Sequence, residues 1–337
     1  MQTYYCAQRG VKKVGLLLAT LAAVLAGSLF IISGSAFATD NSANSLKISP
    51  LRTDIEITPG GSKIVKVTVT NLTNAPIAVT PVENDFVAGD EKGTPALILD
   101  ANKYAPSHSL KRFMVPLSNV TIPAKQSKEV AVTINVPKDA QPGGYFGALR
   151  FEPTALGSGG QVNLSLSSAS IILLTVPGEV VQHLNLTNFD IQQSGKTNSF
   201  FTTPKDLSVL ARFENTGGIQ LAPFGKVSVT QGDKVVYSTD FNQTTPKQMT
   251  LPGYARRWTI PIEKVGEFGY YTVSATFTYG SKNQTIDVKT SFWVIPVWMM
   301  IAAAALLVVI IIAIIVTIYA LKKRNNRRGL SGQRRRR

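Results

Sequence analysis

An apolar run from Val297 to Leu321, 25 residues without a charge, constrains this chain more than any other feature. Backbone in hydrocarbon has no water to bond, so a stretch of this length crosses the ~30 Å bilayer core as a helix. A 16-residue tail, residues 322–337, follows at once and carries nine Lys and Arg and no acid. Lys322, Lys323 and Arg324 open the tail and Arg334 to Arg337 close it. By the positive-inside rule the tail stays cytoplasmic, which places everything upstream outside. Trp293 and Trp298 at one end and Tyr319 at the other fall where amphipathic rings settle at a lipid interface. The expected span is 294–321.

The N-terminus points the same way. Arg9, Lys12 and Lys13 form a positive region, Gly15 to Ile32 an apolar one, and Ala36-Phe37-Ala38 a small-x-small cleavage site. Residues 1–38 therefore read as a signal peptide cleaved after Ala38, with 39–45 a linker; an uncleaved anchor would export the same middle. Cys6 is the only cysteine and precedes the cleavage site. The exported part then has no disulfide, and apolar cores must hold it.

Charge looks different once it is divided by segment. Of the formal net charge of +15, the tail supplies nine and the signal region three, which leaves 23 basic against 20 acidic residues between them. The basic balance belongs to the topology signals and gives no argument for nucleic acid.

Between residues 46 and 292 the apolar period is two. Val65, Val67 and Val69 alternate with Lys66, Thr68 and Thr70; Val130, Val132 and Ile134 alternate with Ala131, Thr133 and Asn135. Leu207, Val209, Ala211 and Phe213 repeat the pattern, as do Tyr271, Val273, Ala275, Phe277 and Tyr279. Turn signals such as Pro59-Gly60-Gly61, Pro142-Gly143-Gly144, Pro177-Gly178 and Gly217-Gly218 separate the blocks. This predicts an all-β exterior of two tandem Ig-like β-sandwich domains, 46–178 and 180–291, ahead of one C-terminal transmembrane α-helix. Ser170 to Val176 (SIILLTV) reads as a strand buried on both faces, and the Gly/Ser stretch from Thr154 to Gly160 as a loop within the first domain. The last strand runs straight into Trp293, so the second domain is expected to stand directly on the bilayer. A weak echo links VTVTNLTNAPIAV (67–79) to LARFENTGGIQLAP (210–223): each is a strand ending in Asn before a turn. Asn can bond its own backbone there, so the echo reads as structural.

The chemistry inventory is poor in catalysts. His108 and His183 are the only histidines and lie in no metal-ligand spacing; neither a G-x-S-x-G elbow nor a P-loop is present. The pairs Glu83/Asp85 and Asp90/Glu91 sit in a polar stretch where solvated charge is expected. No enzyme activity, cofactor or metal is expected. For binding, the long segment Asn84 to Leu110 reads as a recognition loop carrying Tyr104 and His108, with Lys111 and Arg112 following as cations for an anionic wall polymer. Tyr145 and Phe146 read either as a sugar-stacking platform or as core. Arg256, Arg257 and Trp258 would touch lipid headgroups if their segment lay at the membrane end.

SPLRTDIEITPGGSKIVKVTVTNLTNAPIAV, VPKDAQPGGYFGALRFEP and IILLTVPGEV resemble the first domain of the WxL-interacting proteins of Gram-positive cell surfaces. Its most specific element runs from Pro137 to Phe151, where Gly143, Gly144 and Gly147 permit tight turning and close backbone approach. The resemblance implies a signal peptide, two Ig-like domains, a membrane helix and a basic tail in that order. It further implies a first domain that binds peptidoglycan and a second that meets surface proteins bearing WxL domains. The expected function is a non-enzymatic, single-pass plasma-membrane protein tethering wall polymer and another surface protein. A structural accessory subunit of a membrane or secretion complex is the alternative, ahead of a surface enzyme or enzyme inhibitor.

Overall fold

The computed structural model describes residues 45–154 and 168–333; the expected signal peptide with Ala36 and Ala38 lies outside them, as does most of the Gly/Ser stretch. The first half contains β1 (Leu46–Ser49), β2 (Arg52–Glu56), β3 (Ser62–Asn71), β4 (Ile77–Ala88), β5 (Pro95–Leu97), β6 (Val120–Ile122), β7 (Ser127–Asn135), β8 (Gly143–Thr154) and β9 (Ser168–Val176). They form a sheet in the order β1-β3-β7 and another in the order β2-β9-β8-β4-β5, with β6 beside β4. Register follows the alternation: Val65 faces Val132 and Val67 faces Val130, all four buried, while Lys66 and Glu129 ion-pair on the solvent side. Phe151, Ile172, Leu174 and Leu149 of the opposing sheet close the core. Burying such side chains is worth about 1.5–3 kcal/mol each.

The second half contains β10 (Leu184–Gln193), β11 (Lys196–Thr197), β12 (Phe200–Phe201), β13 (Leu207–Asn215), β14 (Phe224–Gln231), β15 (Lys234–Phe241), β16 (Ala255–Pro261), β17 (Gly269–Tyr279) and β18 (Gln284–Val294). The sheet β11-β10-β13-β16 packs on the sheet β12-β18-β17-β14-β15. Its centre is aromatic: Phe213 meets Phe277 edge-on at 5.0 Å, and Phe241 and Trp258 join them. Edge-to-face rings of this kind add about 0.5–1.5 kcal/mol beyond their burial. Both halves are thus β-sandwiches, as the period-two pattern predicts.

The sequence echo is one device used twice. Asn71 and Asn215 end β3 and β13 and are wholly buried. The Asn71 amide donates to the Ala75, Ile122 and Pro123 carbonyls while its oxygen accepts from Thr73 N–H. Asn215 donates to the Ile219 and Thr250 carbonyls and accepts from Gly217 N–H. Each carboxamide fixes the turn that follows it to the turn or loop beside it, satisfying polar groups that burial would otherwise penalise.

Strand direction sets the long axis of the second sandwich. Trp293 of β18 pairs with Tyr270 of β17, and Phe201 and Leu207 lie at that same end. At the opposite end lie Leu184 against Asn215, Glu214 against Ala255, and Tyr279 against Gln284. Only Ile295 and Pro296 separate β18 from α1 (Val297–Gln333), and Ile295 N–H is held by the Phe201 carbonyl at 2.9 Å. Within α1, Val297–Lys322 is 26 residues long, and its apolar stretch is not buried against the other described residues. At 1.5 Å per residue that is about 39 Å, enough to cross a bilayer. Trp298, Tyr319 and Lys322 are exposed along it; Lys323 and Arg324 continue the helical backbone.

Candidate functional site

The segment expected as a long loop from Asn84 is in its first part a hairpin. β4 continues to Ala88 and returns through β5, with Phe86 opposite Leu97. The remainder, residues 98–111, is folded back onto the sheet by two buried side chains. Asn84 donates to the Ile98 carbonyl and accepts from Arg150 Nε. Asp85, wholly buried, accepts from Ala105 N–H and Ser109 O–H at one oxygen and from Lys111 N–H at the other, at 2.6–2.8 Å. A buried carboxyl needs such partners to offset its desolvation. The polar run at 83–85 is therefore not solvated charge, since Glu83 also holds Leu117 N–H.

His108 is the second clamp. It takes a positive φ of 60°, its carbonyl accepts from Phe146 N–H, and its Nδ1 donates to the Gly144 carbonyl at 2.6 Å. The ring lies 6.4 Å from Tyr145 and 5.8 Å from Phe146. Phe146 is buried against Phe86 and belongs to the core, so it offers no ring to a ligand. Tyr145 is half-buried, packs 4.8 Å from Phe113 and donates its hydroxyl proton to the Gln141 carbonyl; burial pushes its phenol upward. On this foundation a short 3₁₀ turn, Lys111–Phe113, presents two cations to an exposed ring. Lys111 Nζ lies 5.0 Å and Arg112 Cζ 4.5 Å from the centre of Tyr104. Lys111 also donates to the Ala101 and Lys103 carbonyls. The six residues picked from sequence thus form one surface in two layers: Tyr104, Lys111 and Arg112 displayed, and His108, Tyr145 and Phe146 beneath. An aromatic face with two cations suits a polymer carrying sugar rings and negative groups.

A second arrangement escaped the sequence. The hairpin tip reaches the far end of the second sandwich, away from α1. Glu91 accepts from Arg212 Nε and Nη2 at one oxygen and from Arg257 Nη2 at the other, while its carbonyl takes Arg257 N–H at 2.6 Å. The Arg212 hydrogen bonds hold the Glu91 carboxyl below its usual range. Asp90 beside it caps the hairpin turn through Lys92 and Thr94. The Pro-Gly-Gly-Tyr-Phe-Gly element contributes as well: Gly144 N–H donates to the Gly218 carbonyl at 3.0 Å, and a Cβ there would run into Gln220 and Phe146. Arg52 donates to the Lys247 carbonyl. Phe86, Phe146 and Leu173 meet Met249 and Leu251 in a small shared core, which accounts for burial on both faces of β9. A cavity of about 240 Å³ remains beside it, walled by Arg52, Phe86, Met249 and Arg256. Arg256 and Arg257 consequently sit at the joint, and Trp258 in the core of the second sandwich, not at the membrane end. No residue pattern announces this joint, because its partners lie far apart in sequence, Glu91 and Arg212 by 121 positions.

Three solved structures illustrate the likeness of the chain as a whole. The class 5 fimbriae chaperone CfaA shares 12% identity over 73% of this chain and 98% of its own, with a TM-score of 0.37. The E. coli chaperone DraB shares 15% over 75% and 98%, at 0.33. A Salmonella enterica SafA pilin complex with the SafB chaperone gives 12% over 75% and 96%, at 0.33. At such scores the likeness carries no conclusion. A search of curated proteins finds no match. The family comparison does find one: residues 53–153, from β2 through the Asp85-held surface to the end of β8, match the model of the WxL Interacting Protein, peptidoglycan binding domain. Over residues 53–153, then, the first sandwich of this chain is similar to the peptidoglycan-binding domain of the WxL-interacting proteins.

Proposed function

We propose that the protein is a non-enzymatic, single-pass cell-surface protein that holds peptidoglycan through its first sandwich and presents its second to another surface protein bearing a WxL domain. Signal cleavage follows Ala38, residues 46–178 and 180–291 are Ig-like domains outside the plasma membrane, and the basic tail from Lys322 lies in the cytoplasm. Tyr104, Lys111 and Arg112 contact the polymer; His108 and Tyr145 position them. The observation that carries this reading is the position of the family match. It falls on the sandwich joined to the end of its neighbour that lies farthest from α1, which is where reach toward a wall is greatest.

Co-sedimentation of the full chain in detergent with purified cell-wall sacculi tests it. The wild type is expected to pellet with sacculi, and Tyr104→Ala combined with Lys111→Ala and Arg112→Ala to remain mostly in the supernatant with its melting transition retained. Retention should weaken as salt rises, since Arg112 is exposed and Lys111 partly so. A wild-type chain that stays soluble at low and moderate salt defeats the wall-binding reading. Recovery of a crosslinked membrane complex in its place favours an accessory subunit.

A further inference from the structure

Exposed aromatic residues outside α1 are few in the described residues: Tyr104, Tyr254, Phe268, Tyr270 and Trp293. Three of these five gather at one place, the base of the second sandwich. Tyr270 and Trp293 are directly paired across β17 and β18, with ring centres 5.0 Å apart on the solvent face of the sheet. Phe268 closes the preceding loop and is 50% exposed. Val235, 58% exposed, stands at the same end of the edge strand β15, in the register that pairs it with Thr230 and Thr230 with Thr272. A soluble protein has no reason to concentrate large apolar side chains on one rim, so such a patch marks a contact surface.

The occupant follows from the connection to α1. β18 leads into the helix through Ile295 and Pro296 alone, and the chain is clamped to the sandwich right up to that junction: Trp293 N–H to the Ser199 carbonyl and Ile295 N–H to the Phe201 carbonyl. Two residues span at most about 7 Å. The rim is thereby held at the depth of the first helical turn, where Trp298 already marks the lipid interface. We infer that Phe268, Tyr270, Trp293 and Val235 form a lipid-contact rim that enters the headgroup region of the membrane α1 crosses. Because the rim occupies only the β17–β18–β15 side, it seats the sandwich on that sheet's edge and prevents it from swinging freely about the junction.

Charge separates this from electrostatic adhesion. Around the base, Lys196, Lys205, Lys234 and Lys264 are matched by Asp206, Asp233, Glu263 and Glu267. Contact driven by aromatic partitioning is therefore independent of anionic lipid, unlike that of a polybasic segment.

The inference rests on α1 spanning the membrane, and the test keeps the two apart. The full chain, with Cys6→Ser, receives a single Phe268→Cys carrying an environment-sensitive fluorophore and is reconstituted into phosphatidylcholine vesicles containing headgroup nitroxide lipid. Val235→Cys serves as a second site, and Leu72→Cys, in the turn at the far end of the first sandwich, as the remote control. Quenching at positions 268 and 235 is expected to exceed that at 72 by at least twofold, and to be unchanged when phosphatidylglycerol is added. If the chain floats with the vesicles and resists alkaline extraction but all three labels are equally unquenched, the rim contact is overturned while the spanning helix stands. If quenching requires phosphatidylglycerol, the aromatic basis is overturned. A chain that does not float overturns the spanning reading and the contact with it.

Discussion

Glu91 and Arg212 stand 121 residues apart in sequence and 2.7 Å apart in space, and their ion pair joins the hairpin tip of the first sandwich to β13 of the second. Arg257 takes the other carboxyl oxygen. All three side chains are partly exposed, so the attraction contributes only about 0–1 kcal/mol. Its consequence is geometric: together with Gly144–Gly218 and the Met249/Leu251 contacts, it fixes the direction in which the first sandwich points away from the helix.

Glu91→Gln should therefore leave the melting temperature nearly unchanged while broadening the distance distribution between spin labels on the two sandwiches. A distribution as narrow as that of the wild type would show that the apolar contacts alone set the angle.

Acid should produce the same broadening in the wild type. The Arg212 hydrogen bond depresses the Glu91 carboxyl from its usual 4.5, and the Glu91 hydrogen bond raises Arg212 in turn. A carboxyl with a depressed folded value contributes in full above its ordinary value and loses that contribution as pH falls through the folded one. The distance distribution is expected to hold from neutral pH down to about 4.5 and to widen below it, with Glu91→Gln flat in this range. Widening that begins near neutrality would assign the change to another group.

Asn71→Ala and Asn215→Ala should each cost about 2–3 kcal/mol, since each removes several hydrogen bonds from a buried turn and leaves backbone carbonyls unpaired. Urea unfolding with one reporter per sandwich is the measurement. Each substitution should lower the midpoint of its own sandwich first, and a cost under about 0.5 kcal/mol would place these residues among ordinary surface changes.

Those two asparagines also show what a sequence reveals and what it withholds. Each follows a period-two strand and precedes a turn, so the local device is visible in thirteen or fourteen residues. The strands themselves are legible for the same reason: Val65, Val67 and Val69 need only their own neighbours to declare a face. Asp85 is different. Its neighbours Glu83, Asn84 and Asp90 make it look solvated, and it is buried only because residues 98–111 fold over it. Glu91 with Arg212 and Arg257 is harder still, because exposed charges of both signs are common and nothing local says which pair will meet. The six candidate binding residues were found by aromatic and basic composition, which could not tell displayed Tyr104 from buried Phe146.

Asp85→Ala should be costly in a way that Asp90→Ala is not. It strands the Ala105 and Lys111 amides and the Ser109 hydroxyl, two of the three bonds being buried, for about 2–4 kcal/mol. Limited proteolysis should then cut beside Lys103 or Lys111 well before the rest of the sandwich. Resistance equal to that of the wild type would mean that the apolar contacts of Ala105 and Leu110 suffice to hold the segment.

Gly147→Ala tests the packing beneath the same surface. An added Cβ would stand 2.9 Å from Leu110 Cβ and 3.2 Å from the Asn84 carbonyl oxygen, and Leu110 is wholly buried with no room to retreat. Overpacking of this kind costs about 1–3 kcal/mol. Strain should fall on the weaker partner, the 98–111 segment, which then lifts Tyr104 and the two cations off their foundation. Relieving part of the clash, the 3.2 Å approach to Leu110 Cδ2, distinguishes this from a general loss of stability. In a double-mutant cycle Leu110→Ala alone creates a cavity, but with Gly147→Ala already present the new methyl group partly fills it, so the combined cost should be less than the sum. Strict additivity would show that the two residues do not bear on each other, and that the close approach of β8 to Leu110 has no part in holding the surface.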